Sequence, residues 1–110
     1  MYRSTLLIFL INFCLILKSE VVIDVRTPEE FQIAHIVNSS NIEWQNISLI
    51  ESLIPKDEKI YLYCRSGNRS GKARNILIDL GYIDVTNLGS IQSASEKLGK
   101  EIINFQQNRQ

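Results

Sequence analysis

The sequence predicts a three-layer α/β domain, a small parallel β-sheet flanked by helices. Two observations predict it. The short apolar runs Val21–Val25, rich in β-branched residues, and Ile60–Cys64 read as strands, and segments of helical period separate them. Strands that alternate with helices imply parallel βαβ units. The length of 110 residues suits one such domain, and neither a second domain nor an internal repeat is visible.

Each element has a local reason. Val21-Val-Ile-Asp-Val25 is the first strand. Thr27-Pro28-Glu29-Glu30 starts a short helix that ends near Ala34: Thr caps, Pro suits the first turn, and Glu30 stands three residues after Thr27. Ser39 to Ile42 forms a brief strand, and Ile47 to Leu53 a helical segment stopped by Pro55. Ile60-Tyr-Leu-Tyr-Cys64 is the second firm strand. A polar loop follows, then a helix from Ser70 to about Leu80, with Ala73, Ile76, Leu77 and Leu80 on one face and Gly81 closing it. Asp84 to Leu88 is a further strand, and Gly89-Ser90 a turn. Ile91 to about Gln107 reads as a final helix with Ala94, Leu98 and Ile102 inward.

Residues 1–19 stand apart. A basic start with Arg3 precedes the nearly uncharged apolar run Thr5–Leu17, the pattern of a secretory signal peptide. Leu17 and Ser19 supply a cleavage pair, with cutting before Glu20. The run is short of the ~20 residues that span a bilayer comfortably. An uncleaved N-terminal anchor and a buried N-terminal helix or strand are the alternatives. The domains are therefore 1–19, signal peptide or anchor, and 20–110, the folded domain, in the periplasm or secreted.

Twelve Lys+Arg balance twelve Asp+Glu. That argues against a general nucleic-acid binder. Cleavage would remove Arg3 and Lys18, leaving a slightly acidic domain, and would remove Cys14. Cys64 would then be a lone thiol in an exported protein, without an internal disulfide partner. Two cysteines and one histidine are too few for a zinc framework, and no cofactor or metal is expected.

Cys64 ends a strand, and a glycine-containing loop leads from it into a helix. Such a loop points backbone N–H groups into an anion site at the carboxyl end of the sheet. Arg65 and Arg69 flank it, Lys72 and Arg74 follow, and no acid occurs between Ile60 and Ile78. A thiol here should be solvent-reachable, with a lowered pKa, and should meet an anionic substrate.

These residues carry a resemblance. Cys64-Arg-Ser-Gly-Asn-Arg-Ser70, with Ile23-Asp-Val-Arg-Thr-Pro-Glu-Glu-Phe31, resembles the rhodanese (sulfurtransferase) family. Ala34-His35-Ile36, Asn41-Ile42 and Gly81-Tyr82 through Val85 to Asn87-Leu88-Gly89 support it, in the family's order from Val21 to Ser90. Size and export signal together resemble the single-domain periplasmic rhodaneses of the phage shock protein E type. The resemblance implies a rhodanese-like domain and a thiosulfate sulfurtransferase that carries sulfane sulfur as a Cys64 persulfide. Arg65, Ser66, Gly67, Asn68, Arg69 and Ser70 would bind substrate, with Arg65 and Arg69 steering the sulfonate.

Asp24 and Arg26 would be structural residues near the site, with Arg26 pairing with Glu29 or Glu30. The partners would be a small anionic sulfur donor and a thiophilic acceptor, cyanide or a thiol. Neither nucleic acid nor, after cleavage, a membrane would be a partner, and the protein would be a monomer. Departures from the family lie at Ala34, Val37-Asn38-Ser39, Ser90 and Ala94, in loops around the site. His35 and Trp44 read as packing residues.

Two other functions use the same residues. A sulfur-carrier or redox-sensing module would use Cys64 without turnover. A Cys-dependent phosphatase needs an Arg after five intervening residues, where this sequence has Ser70; Arg69 comes after four. Asn38, Asn46 and Asn68 each open a glycosylation tripeptide, the last inside the reactive loop. A glycan there would block the thiol, which favours a host that does not modify such sites.

Overall fold

The computed structural model describes residues 20–105. Four parallel strands form the sheet in the order β3-β1-β4-β5, with β1 at Val21–Asp24, β3 at Ser40–Asn41, β4 at Ile60–Cys64 and β5 at Val85–Ser90. Helices α1 (Pro28–Ile33), α2 (Asn68–Asp79) and α3 (Ile91–Leu98) and a 3-10 helix (Trp44–Ser52) surround it. Strand alternation divides the core in two. Ile23, Val25, Ile60, Leu62 and Cys64 face Ile47 and Ile50 of the 3-10 helix and Ala73 and Leu77 of α2. Val22 and Tyr63 point the other way, toward Ile36, Leu88 and Ala94. The α/β architecture is the expected one, and the pleat puts Cys64 on the α2 side.

The starts of the helices follow their sequence signals. Thr27 and Glu30 form a complete capping box on α1, with Pro28 in its first turn. Ser90 caps α3 by accepting from the Ser93 N–H. The segment around Ile47 is helical but tighter than expected. Ile47 and Ile50 are both buried three residues apart, which matches the three-residue turn of a 3-10 helix.

The last third differs from expectation. The final helix does not run to Gln107. It stops at Gly99, which takes a left-handed φ of 64° and donates its N–H to the Ser95 carbonyl. The chain then turns back, and β6 (Ile102–Asn104) pairs antiparallel with β2 (Ala34–Ile36) in a second small sheet. Ile102 is therefore a strand residue beside Ile36, not part of a helical face. The expected signal peptide or anchor, residues 1–19, and the expected helical residues 106–107 lie outside the described residues. Among the described residues no helix is long and apolar enough to cross a membrane.

Candidate active site

The Cys64 loop runs from the end of β4 to the start of α2. Gly67, at its apex, takes a φ of 94°. That conformation favours glycine, and a Cβ on this residue would also crowd the Gly89 Cα at 3.3 Å. In that conformation the Gly67 N–H donates to Cys64 Sγ at 2.9 Å. Ser70, fully buried one turn into α2, brings its hydroxyl to 3.2 Å from the same sulfur.

Burial raises the pKa of the Cys64 thiol, but the Ser70 hydroxyl and the N–H groups of Ser70, Ser66 and Gly67 outweigh it, and the net shift is downward. The expected acidity therefore comes from local dipoles, more than from the guanidinium groups. The thiol is not solvent-reachable as expected: Cys64 is fully buried. Arg65, Ser66 and Asn68 are exposed, so the loop itself forms the surface over the sulfur.

The two arginines part company. Arg65 is exposed, and among the described residues no ion pair engages it. Arg69 instead makes a fork with Glu30 of α1, at 2.7 and 3.0 Å. The reading that no acid enters the loop holds along the chain but not in space, because Glu30 arrives from 39 residues away. It serves two elements, capping α1 through Thr27 and holding Arg69. The Arg69 guanidinium, with help from Thr27, keeps the Glu30 carboxyl down at about 2.

That shift predicts an acid limit. Glu30 ionises more readily in the fold than in the unfolded chain, so its stabilisation is present above the ordinary carboxylate range. It fades as pH falls below about 4.5 and is gone once pH passes about 2. Glu30→Gln should cost about 1 kcal/mol at pH 7, a figure reduced for the pair's partial exposure. Melting curves of both proteins from pH 7 to pH 2 should converge at the acid end.

Arg26 does not pair with Glu29 or Glu30. It folds back on Asp24, with Nε 2.9 Å from Oδ1 and Nη2 2.7 Å from Oδ2, and Nη2 also donates to the Ala34 carbonyl. Asp24 is fully buried and also takes the Arg26 N–H. The shorter path wins because Asp24, at the end of β1, is enclosed where water cannot compete for it. Asn41 ties the same corner, donating to the carbonyls of Asp24 and Arg26.

His35 stacks on Phe31 with ring centroids 3.7 Å apart and points Nδ1 at the Phe31 carbonyl. Trp44 packs on the core with the Lys72 ammonium over its ring. Among the described residues no cluster of His, Cys, Asp and Glu could hold a metal.

Asn87 is not among the site residues that the sequence predicts, although it lies within the resembling segment. From β5 it donates to the Gly67 carbonyl and accepts from Ser70. No local spacing signals Asn87 or Glu30, because both reach the loop through tertiary packing. A polar groove of about 640 Å³ runs beside the loop, lined by Gly67, Asn68, Lys72, Arg74, Thr86 and Asn87 among others.

Comparison with known proteins agrees with this geometry. Residues 15–97 match the model of the rhodanese-like domain. The thiosulfate sulfurtransferase PspE of Escherichia coli is 34% identical over 95 residues, which cover 84% of this chain and 91% of that protein. The adenylyltransferase and sulfurtransferase UBA4 of Candida albicans is 36% identical over 94 residues, but the chain spans only 22% of that protein's length. Among solved structures, an E. coli rhodanese with anions superposes with a TM-score of 0.68 at 28% identity, over 78% of this chain and 99% of that one. A rhodanese-like domain protein of Staphylococcus aureus gives 0.63 at 33% identity, over 84% and 89%. A family match across most of the chain, a full-length sulfurtransferase relative and the same fold around the cysteine loop lead to one assignment: the chain belongs to the rhodanese-like sulfurtransferase family.

Proposed function

We propose that the chain is a thiosulfate sulfurtransferase that carries sulfane sulfur on Cys64. The observation that carries this reading is the sulfur at a strand end, met by the Gly67 N–H at 2.9 Å and the Ser70 hydroxyl at 3.2 Å. The N–H favours the thiolate, the form that attacks, and the hydroxyl does so when its proton turns to the sulfur. The Cys64 thiolate attacks the outer sulfur of thiosulfate. A new S–S bond forms, the donor's S–S bond breaks, and sulfite leaves with the electron pair. The persulfide then gives its outer sulfur to cyanide or a thiol, and Cys64 leaves as thiolate. Both steps balance without a cofactor.

Arg65 and Arg69 take different tasks in this reading. Arg65, exposed and without an ion pair among the described residues, steers the sulfonate. Arg69, forked to Glu30, holds the loop where it enters α2. Arg65→Ala should then act chiefly on KM, with a loss of about ten- to a hundredfold in kcat/KM for a charge-assisted contact. Arg69→Ala should lower kcat as well, because loop shape is lost with the charge. Thiocyanate formation from thiosulfate and cyanide measures both, and equal effects confined to KM would count against this division.

Intact mass after thiosulfate treatment tests the intermediate, with a gain of one sulfur atom expected on Cys64. Sulfur uptake without thiocyanate would mark a carrier that does not turn over. Aryl-phosphate hydrolysis with no thiosulfate turnover would overturn the assignment. The apolar run Thr5–Leu17 supports export of the domain, for which the mature N-terminus should be Glu20.

A further inference from the structure

Asn87 stands on β5 opposite Leu62, and its carboxamide has three partners. Nδ2 donates to the Gly67 carbonyl at 3.0 Å. The Gly89 N–H donates to Oδ1 at 2.9 Å. The Ser70 hydroxyl donates to the same Oδ1 at 2.6 Å. The orientation of the amide follows from these partners, because a main-chain N–H can only donate and a main-chain carbonyl can only accept. Oδ1 must therefore face Gly89 and Ser70, and Nδ2 must face Gly67.

Ser70 has one hydroxyl proton and is fully buried, so no water relieves the choice of where it points. Its second neighbour is Cys64 Sγ, 3.2 Å away. While the proton lies toward Asn87, only oxygen lone pairs face the sulfur. That suits a neutral thiol, whose S–H donates to Ser70. A thiolate can only accept, so the hydroxyl proton must swing from Asn87 to the sulfur when Cys64 ionises. The 2.6 Å contact then sets one oxygen against another and must loosen.

We propose that Asn87 is a positioning residue for Cys64: it competes with the Cys64 thiolate for the single proton of Ser70 and so sets how readily the nucleophile ionises. The proposal rests on Cys64 being the sulfur-accepting nucleophile. On ionisation the thiol proton leaves to solvent, while the Ser70 proton stays on its own oxygen and only changes acceptor. After sulfur is taken up, the charge lies on the outer sulfur. The inner sulfur is then a weak acceptor, and the Ser70 proton turns back to Asn87.

The charged groups around Cys64 come from several elements. They are Arg65 in the loop, Arg69 of α2 with its Glu30 from α1, and the Asp24–Arg26 pair at the end of β1. Lys72 and Arg74 line the groove that Asn87 borders. None hydrogen-bonds to Asn87, so its replacement leaves these charges in place.

The test is the pH dependence of the ultraviolet thiolate absorbance of the full chain, taken as the difference from Cys64→Ser in the same background, which needs no reagent to reach the buried sulfur. Ser70→Ala should raise the midpoint by about one unit, near tenfold less thiolate at neutral pH, the size of one charged hydrogen bond. Asn87→Leu should lower it, with about threefold more thiolate, because the competitor is gone. With Ser70→Ala already present, Asn87→Leu should change nothing further. An undiminished shift in that background, or a raised midpoint in Asn87→Leu alone, would overturn the proposal.

The wild type gives a second reading that needs no variant to fold. The Asn87 carboxamide NMR signal should titrate with the thiolate midpoint of Cys64, and a flat signal across that range would also overturn it. No sulfur donor enters either measurement, so a failure of sulfur transfer and a failure of this coupling are separate results.

Discussion

Cys64→Ser should abolish sulfur transfer while leaving the domain folded. A serine hydroxyl stays protonated at neutral pH and is a poor nucleophile toward sulfane sulfur, so thiocyanate formation should fall by about a thousandfold or more, ~4 kcal/mol of barrier. The fold should survive because the serine oxygen inherits both polar contacts, from the Gly67 N–H and from Ser70. Cys64→Ala is the harsher structural change, since it leaves the Gly67 N–H without its acceptor. Intact mass should show no sulfur uptake in the Ser variant. Residual turnover above about a hundredth of wild type would rule out the persulfide route.

Asp24→Ala should strongly destabilise the domain. Asp24 is fully buried and accepts from the backbone and the guanidinium of Arg26, itself 7% exposed. Removing the carboxylate strands a buried cation, at about 3–5 kcal/mol. Domains of this size have only about 5–15 kcal/mol in total, so a fall of roughly 15 °C or more in Tm is expected. Replacing both partners, Asp24→Leu with Arg26→Met, should cost much less, because no buried charge is then left unpaired. Thermal melts of the wild type and these two variants decide it. If the double variant is no better than Asp24→Ala alone, the stranded Arg26 charge is not the source of the cost.

The strands and helices that local chemistry specifies were legible. Val21–Val25 and Ile60–Cys64 are β-branched or aromatic runs, and Thr27-Pro28-Glu29-Glu30 carries its own cap. The β2–β6 pair was not. Ala34-His35-Ile36 is three residues long and directly follows a helix, and Ile102–Asn104 continues an apolar pattern that reads as helix. Each becomes a strand only because the other is there to pair with it. The signal that could have divided the last segment is Gly99, a residue that favours the left-handed C-cap of a helix.

The reactive loop shows the same division. Sequence alone placed Cys64 at a strand end, glycine in the loop and a helix beyond it, because each of those features is written in neighbouring residues. It could not assign the arginines or the carboxamide. Arg69 belongs to Glu30, and Arg26 to Asp24 rather than to the α1 acids, because folding brings these groups together and removes the water that would otherwise solvate them. Asn87 reaches Gly67 and Ser70 only because parallel pairing sets β5 beside β4, with a register shift between Leu62 and Cys64. Residue types along the chain determined which chemistry the loop could perform. Strand register and helix packing, which join residues far apart in sequence, decided which side chains hold the loop in shape.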